Sequence, residues 1–292
     1  MEALKGTGVA LVTPFNSDGT VDFVGLTALV EHVIQGGLDF LVVLGTTGET
    51  ATLEMDEQIA ILSHVKKVNN ARRPIVLGIG GNNTAQVISN YQSFDLEGVT
   101  AILTASPYYN KPTQEGIYQH YKAIASISSL PILLYNVPGR TASNMTAQTT
   151  LRLANDFENI IGIKEASANM DQVMQILKNK PDNFFLTSGE DALAFPISVL
   201  GGVGVISVVA NAYPKQFSDM IRASLMGDLA TARNLHYQLL DFTNLMFEEG
   251  NPGGIKAALK HLSVCDDYLR LPLWRVSDGL NERIQQAVKE IS

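Results

Sequence analysis

One lysine of this chain lies where a charged residue is not expected. Lys164 belongs to the apolar run IIGIKEAS at 160–167, and burying an unpaired charge is costly. One interpretation is a lysine just past the end of a strand, paired with Glu165 or another acid. The other is a partly desolvated amine that is neutral often enough to attack a carbonyl carbon and form a Schiff base.

Three hydroxyl groups also lie where apolar runs end. Tyr135 belongs to PILLYNVPGR at 131–140, and Thr46 and Thr47 follow FLVVLG at 40–45. Schiff-base chemistry needs groups that move protons, and converging hydroxyls beside a lysine can do this. Taken alone, such a tyrosine is more often a packing residue whose hydroxyl is hydrogen-bonded.

Candidate sites for substrate carboxylates lie in the same runs. Arg140 follows Pro138 and Gly139 in a predicted turn, where its guanidinium can bind a carboxylate through two parallel hydrogen bonds. A solvated loop arginine is an equally good interpretation. Backbone amides of GTTGE at 45–49 can bind a second carboxylate, with a plain turn as the alternative.

Composition and motifs exclude several classes of function. The net charge of -8 and the lack of a basic cluster argue against nucleic-acid binding. No apolar stretch is long enough to span a membrane, and no signal peptide is present, so we expect a cytoplasmic protein. The five histidines are scattered, HExxH is absent and Cys265 is the only cysteine, so we expect no metal.

Two glycine-rich segments do not match nucleotide-binding motifs. The run from Gly78 to Asn83 lacks the third glycine of a dinucleotide fingerprint. GNPGGIK at 250–256 does not have the spacing of a phosphate-binding loop. The first run is interpreted as a tight turn.

The arrangement of apolar runs predicts the fold. Eight short runs, nearly continuous in apolar character, lie at 9–15, 40–48, 74–81, 101–110, 131–140, 160–167, 184–191 and 202–211. Such runs are typical of parallel strands buried on both faces. Helical patterns separate them, which predicts an α/β protein, a (β/α)₈ TIM barrel, with an open doubly wound sheet as the alternative. In such barrels the reactive side chains lie at the C-terminal ends of the strands.

The last part of the chain has helical periodicity and no strand-like run. We therefore expect a barrel catalytic domain at 1–227 and a C-terminal helical extension at 228–292. No linker separates the two, so the extension is not expected to fold independently.

Four blocks of the chain resemble a known family. They are GTTGETATL at 45–53, PYYNKPTQEGIYQHYKAIA at 107–125, YNVPGRT at 135–141 and GIKEAS at 162–167. With LVTPF at 11–15 and GVISV at 204–208, they make nearly the whole chain similar to the dihydrodipicolinate synthase (4-hydroxy-tetrahydrodipicolinate synthase) branch of the pyruvate-dependent aldolases.

The resemblance implies a lyase of diaminopimelate and lysine biosynthesis that condenses pyruvate with L-aspartate 4-semialdehyde and needs no cofactor. It implies that pyruvate forms a Schiff base on Lys164 and that Tyr135 transfers protons, with Thr46 relaying to a Tyr109 that reaches the neighbouring subunit's site. Substrate-binding roles are implied for Thr47, which would hold the pyruvate carboxylate, for Arg140, which would hold that of the semialdehyde, and for Gly189 and Ile206, which would line the lysine pocket. The shared Tyr109 implies an oligomer, and the family norm is a homotetramer built as a dimer of dimers.

Regulated relatives bind L-lysine at the dimer interface. Thr50, Ala51, Asn82 and Tyr108 fit that site. Strongly inhibited members tend to carry two histidines and a glutamate at three positions that are Met55, Gln58 and Gln86 here. We therefore predict weak or absent inhibition by L-lysine.

Two rival functions share part of this pattern. N-acetylneuraminate lyases and 2-keto-3-deoxy sugar acid aldolases would share Lys164, Tyr135 and the two threonines, but sialic-acid lyases tend to lack the arginine of YNVPGRT. A catalytically inactive barrel used as a scaffold would normally have lost the lysine or a relay hydroxyl, and neither is missing.

Overall fold

Eight parallel strands form a closed barrel in the computed structural model, which describes residues 2–291. Each strand pairs with its neighbours in chain order, and β8 pairs with β1 to close the barrel. The strands are β1 Gly6–Ala10, β2 Phe40–Val43, β3 Ile75–Gly78, β4 Ala101–Ala105, β5 Ile132–Asn136, β6 Ile160–Glu165, β7 Phe185–Ser188 and β8 Gly204–Ser207. The (β/α)₈ prediction is confirmed, and the open sheet is excluded.

Helices follow the strands along the chain and form the outer layer of the barrel. They are α1 Phe23–Gln35, α2 Met55–Asn69, α3 Thr84–Ser93, α4 Gln114–Ile127, α5 Pro138–Thr141, α6 Ala147–Asp156, α7 Met170–Asn179, α8 Ala194–Val199 and α9 Pro214–Leu225. Most of the longer ones begin after a side chain that accepts hydrogen bonds from the first turn. These capping residues are Asp22, Asn83, Thr113, Thr146 and Asn169.

The first strand lies earlier than the apolar run at 9–15 predicts. It begins at Gly6, whose amide donates to the Val203 carbonyl beside β8. Residues 11–15 leave the barrel after Ala10, and Phe15 is buried under the side chains of Lys256 and Arg270. The run is apolar because a second layer covers it, which local sequence does not distinguish from a strand.

Two aromatic rings fill the barrel interior where neighbouring strands carry glycine. A Cβ atom on Gly8 would lie 2.1 Å from the ring of Phe40, and a Cβ on Gly162 would lie 2.9 Å from the ring of Phe185. Only glycine leaves room for these rings. The interior is therefore packed below the strand ends, and polar groups can meet only at the C-terminal mouth.

Three further helices, α10 Leu229–Phe247, α11 Gly253–His261 and α12 Asp278–Ile291, form the C-terminal extension. The periodic residues at 235–245 and 284–291 predict the first and third. Helix α11 was not predicted, because its start lies in the glycine-rich segment GNPGGIK, which has no apolar periodic pattern. A Cβ on Gly254 would lie 2.8 Å from the Met246 Cα, so this glycine lets α11 approach α10 closely. The division at residue 227 stays a prediction.

Within residues 2–291, no helix combines the length and the apolar character needed to cross a membrane.

Candidate active site

Lys164 and Tyr135 lie side by side at the mouth of the barrel. They are paired across β5 and β6, and the Lys164 Nζ lies 4.3 Å from the centroid of the Tyr135 ring. The two residues are only 5% and 6% exposed. The structure thus brings together the predicted nucleophile and the predicted proton donor in a nearly dry environment.

Glu165 does not neutralise Lys164. Successive side chains of a strand point to opposite faces, and the Glu165 carboxylate lies on the helix side of β6. It accepts hydrogen bonds from the Asn136 side chain at 3.1 Å, from the Gln172 side chain at 2.9 Å and from the Ser167 amide at 2.8 Å. The interpretation of Lys164 as the partner of Glu165 is therefore wrong.

No other carboxylate of residues 2–291 forms an ion pair with Lys164 within 4.0 Å. The lysine also lies inside β6 rather than past its end. A buried amine without a fixed acidic partner is free to react with a bound molecule.

One of the two predicted lining residues, Gly189, lies against the stem of this lysine. A Cβ on Gly189 would lie 3.0 Å from the Lys164 Cε and 3.1 Å from its Cγ, so a side chain there would push the lysine aside. Ile206 is fully buried and belongs to the same interior cluster as Tyr135 and Ala166. Gly189 thus lies beside the lysine stem, and the lining role of Ile206 stays a prediction.

Thr187 of β7 was not predicted as a site residue. It is paired with Lys164 on the other side of β6, and its hydroxyl is buried without a hydrogen-bond partner among the described residues. The strand pairing that places it there is a tertiary feature, and within the run FFLTSGED a threonine carries no signal of its own.

Thr46 and Thr47 form a single 3-10 turn, Thr46–Gly48, directly after β2. The turn exposes Thr46 and buries Thr47. The Thr47 hydroxyl accepts a hydrogen bond of 3.0 Å from the Asn251 side-chain amide. The turn is therefore attached to a segment 204 residues further along the chain.

Arg140 lies near the same asparagine. It belongs to the short helix α5, and one of its terminal nitrogens donates to the Asn251 carbonyl at 3.1 Å. The side-chain carbonyl oxygen Oδ1 of Asn251 is buried without a partner among residues 2–291. Asn251 thus connects Thr47 with Arg140 and has one hydrogen-bond acceptor free to bind a molecule at the mouth.

Asn251 is the main site residue that sequence reasoning missed. Its segment, GNPGG, has no apolar pattern and no reactive side chain. The unusual density of turn residues between two helical patterns was the only local signal, and it indicates a turn without indicating its partners.

Two acids of the 189–191 loop change the electrostatics near Lys164. Burial raises the pKa of Asp191, although hydrogen bonds from Ser207 and from the Val208 amide favour its charged form. Burial, and then the charge of Asp191, raises the pKa of Glu190, while Lys164 and Arg140 act in the opposite direction. The mouth therefore holds cations and acids in close proximity, as proton-transfer sites do.

Tyr108 and Tyr109 lie in the loop after β4 and point away from the barrel interior. Their exposed fractions are 44% and 85%, and Tyr109 has a φ of 69°, which is unusual for a residue other than glycine. The described residues leave Tyr109 almost uncovered and cover about half of Tyr108. An exposed aromatic pair of this kind is typical of a surface that contacts another molecule.

The predicted regulatory residues lie in three loops, which follow β2, β3 and β4. The Asn82 carbonyl accepts a hydrogen bond of 3.0 Å from the Asn110 side chain, which joins its loop to the one that carries Tyr108. The Thr50 hydroxyl donates to the carbonyls of Leu44 and Gly45, and Ala51 is exposed. The structure joins the loops of Asn82 and Tyr108 directly.

The three positions that depart from the regulated pattern are neutral here. The Gln58 side chain donates to the Leu53 carbonyl at 2.9 Å, and that of Gln86 donates to Asn90 at 2.7 Å. Met55 packs against the core. None of the three presents a charge.

Among the residues that the structure describes, no group of three or more His, Cys, Asp or Glu side chains is arranged to hold a metal ion.

Comparison with known proteins extends these observations. The 4-hydroxy-tetrahydrodipicolinate synthase of Phocaeicola vulgatus is 53% identical over 288 residues, covering 99% of this chain and 97% of its own length. That of Flavobacterium psychrophilum is 49% identical over 292 residues, covering all of both chains.

A solved structure is similar over the same length. The chloride-inhibited dihydrodipicolinate synthase of Acinetobacter baumannii, crystallised with pyruvate, superposes with a TM-score of 0.96 at 38% identity and 99% coverage of both chains. The sequence model of the dihydrodipicolinate synthetase family matches residues 3–291 of this chain. This (β/α)₈ barrel has a buried lysine beside a tyrosine at its mouth. Over nearly its whole length, the chain belongs to the dihydrodipicolinate synthetase family.

Proposed function

We propose that the chain acts as a 4-hydroxy-tetrahydrodipicolinate synthase, which condenses pyruvate with L-aspartate 4-semialdehyde in diaminopimelate and lysine biosynthesis. The observation that carries the proposal is the buried amine of Lys164, 4.3 Å from the Tyr135 ring and without a carboxylate partner among residues 2–291. Membership of the family supports the choice of substrates.

The first step joins pyruvate to the enzyme. The Lys164 nitrogen attacks C2 of pyruvate, and the resulting carbinolamine loses its oxygen as water once a proton has been delivered to it. The ring of Tyr135 already lies against the amine. We assign this proton transfer to its hydroxyl.

The second step forms the carbon–carbon bond. Loss of a proton from C3 converts the imine into an enamine, whose C3 attacks the aldehyde carbon of the semialdehyde. The aldehyde oxygen takes up a proton and becomes the 4-hydroxyl group. The amino group of the semialdehyde then attacks the imine carbon, closes the ring and displaces Lys164 as the free amine.

Two carboxylates have to be held during these steps, and the structure supports two separate sites. Thr47 lies in the turn after β2, where its hydroxyl and backbone amide are assigned to the pyruvate carboxylate. Arg140 lies on the short helix after β5 and is assigned to the semialdehyde carboxylate. Asn251 contacts both residues and so connects the two proposed sites.

The protonated imine is itself the electron sink, so the proposed chemistry uses no metal or organic cofactor. We assign Thr46 to a relay that ends at Tyr109 of a neighbouring copy. The 85% exposure of Tyr109 supports this assignment, and it implies an assembly, with a homotetramer as the proposed form. A location in the cytoplasm stays a prediction.

Product analysis by mass spectrometry tests the proposal. The protein and pyruvate are mixed with aspartate semialdehyde or, in parallel, with N-acetylmannosamine. We expect a cyclic dicarboxylate from the semialdehyde alone. A product from the sugar alone would be consistent with the Schiff base on Lys164 but would assign the function to the N-acetylneuraminate lyase branch. No product from either acceptor would contradict both the synthase and the lyase.

A further inference from the structure

A buried ion pair joins the C-terminal extension to the GTTGE turn. The Lys256 Nζ, on α11, donates to the Glu49 Oε1 at 2.5 Å, and neither side chain is exposed to solvent. Glu49 is the last residue of GTTGE, and 207 positions separate it from Lys256. The extension is therefore attached by a charged contact to the segment that carries Thr46 and Thr47.

Both members of the pair have further partners. The Lys256 Nζ also donates to the Tyr268 carbonyl at 2.8 Å and lies 4.3 Å from the centroid of the Phe15 ring. The second oxygen of Glu49 accepts a hydrogen bond of 3.1 Å from the Arg270 amide. Such a fully bonded network holds each group in a single position, because any other arrangement leaves a buried charge without a partner.

Glu49 lies at the joint between two turns. Its amide donates to the Thr46 carbonyl, and its own carbonyl accepts from the Thr52 amide. Its φ of 55° is in the left-handed region, which a residue with a side chain occupies only where its surroundings hold it. The bond to Lys256 holds the side chain of this strained residue.

Stability alone is a weak explanation for this pair. Replacing a buried ion pair by apolar residues of similar volume is often neutral or stabilising, whereas such a pair can specify one arrangement among several. The arrangement specified here is that of the Thr46–Gly48 turn, which Asn251, five positions before Lys256, contacts through Thr47.

We propose that Lys256 is a positioning residue for the condensation: through Glu49 it holds the Thr46–Gly48 turn in the place that proton relay and carboxylate binding require. The inference rests on the proposed function, because it needs the roles assigned to Thr46 and Thr47. Lys256 itself touches no reacting atom.

The test compares Lys256→Met with Lys260→Met, at a temperature where circular dichroism shows both variants folded. Lys260 is a matched control, because it lies one turn further along α11 in an exposed ion pair with Asp267. We expect Lys256→Met to lose at least about 10-fold in kcat/KM for pyruvate, as small displacements of positioning groups do. Lys260→Met should stay within about twofold of the unaltered chain.

Amide hydrogen exchange supplies a second readout that does not depend on activity. We expect faster exchange at residues 45–50 in Lys256→Met and unchanged exchange there in Lys260→Met. A folded Lys256→Met chain with unaltered kcat/KM and unaltered exchange at 45–50 would overturn the proposal. If the unaltered chain makes no product, the proposed function fails, while the exchange experiment still tests the positioning.

The double variant Glu49→Gln/Lys256→Met separates positioning from stability, and it carries the test if Lys256→Met does not fold. It leaves no unpaired buried charge, so we expect its melting temperature to recover. We expect its kcat/KM for pyruvate to stay low, because a neutral pair does not restore the geometry. If both the melting temperature and kcat/KM recover, the pair contributes only to stability, and the proposal is overturned.

Discussion

The amine of Lys164 lies against the ring of Tyr135, 4.3 Å from its centroid, because β5 and β6 pair these two residues directly. The next pair in the same register, Asn136 and Glu165, faces the helices instead and is bonded there. The alternation of a strand thus keeps the acid next to Lys164 in sequence away from it in space. This separation leaves the amine available for a carbonyl substrate.

Replacing Lys164 by alanine should abolish turnover without unfolding the chain. We expect turnover to fall by at least about 100-fold, because the Schiff base no longer forms. We also expect the melting temperature to stay close to that of the unaltered chain, since a buried amine without an acidic partner contributes little to stability. Borohydride reduction with pyruvate, followed by mass spectrometry, should mark Lys164 only in the unaltered chain. Retained turnover would refute the assignment.

Tyr135→Phe should slow the reaction and leave the fold intact. The loss of a proton-transfer group typically costs about 100-fold or more in turnover, and the phenylalanine ring still packs against Lys164. Tyr118→Phe is the matched control, because it removes a hydroxyl that bonds to Asp156 on the outer surface. Steady-state kinetics on both variants make the comparison. A Tyr135→Phe chain no slower than the control would contradict the proposed role.

Arg140→Ala should weaken binding of the semialdehyde more than that of pyruvate. Charge-assisted hydrogen bonds contribute about 1.5 to 3 kcal/mol, so we expect KM for the semialdehyde to rise by about 10-fold or more. KM for pyruvate should change little, because its carboxylate is assigned to Thr47. Initial rates with each substrate varied in turn measure this difference, and an equal rise in both constants would argue against two separate carboxylate sites.

L-lysine should inhibit weakly or not at all. Met55, Gln58 and Gln86 carry no charge, and the two glutamine side chains are already bonded within the chain. A ligand with two charged ends therefore finds no charged partner at these positions. Titrating L-lysine into the condensation assay, with D-lysine as the control, measures the effect. Potent inhibition by the L form would overturn this prediction.

His120 should make the fold less stable in mild acid. Burial lowers its pKa to about 4, from an ordinary value of 6.5. Between these two values the unfolded chain binds the proton and the folded chain does not, so stability falls as the pH falls. From pH 7 to pH 4.5 the loss due to this group is roughly 2 to 3 kcal/mol.

Urea unfolding of the unaltered chain and of His120→Gln at both pH values isolates this contribution. The variant should lose less stability over the interval by that amount, although it starts lower because it no longer has the hydrogen bond between His120 and Thr84. Equal losses in the two chains would mean that His120 takes up its proton as readily in the folded chain as in the unfolded chain, which would contradict the lowered pKa.

The sequence by itself determined the barrel and singled out Lys164 as the candidate nucleophile. Eight apolar runs separated by helical patterns leave few topologies open, and a lysine inside such a run is anomalous wherever it occurs. These signals are local, since each depends on residues within one strand or helix. The boundaries were less well determined: residues 11–15 are as apolar as a strand, yet they lie outside it, with Phe15 buried under the side chains of Lys256 and Arg270.

Only the tertiary structure decided which distant residues support the site. Asn251 contacts Thr47 across 204 positions, and Lys256 contacts Glu49 across 207. These contacts exist because the extension folds back over the mouth of the barrel, beside the turn after β2. A hydrogen bond between residues so far apart leaves no periodic pattern in the sequence. The contacts of Asn251 and Lys256 therefore follow only from the way α11 packs.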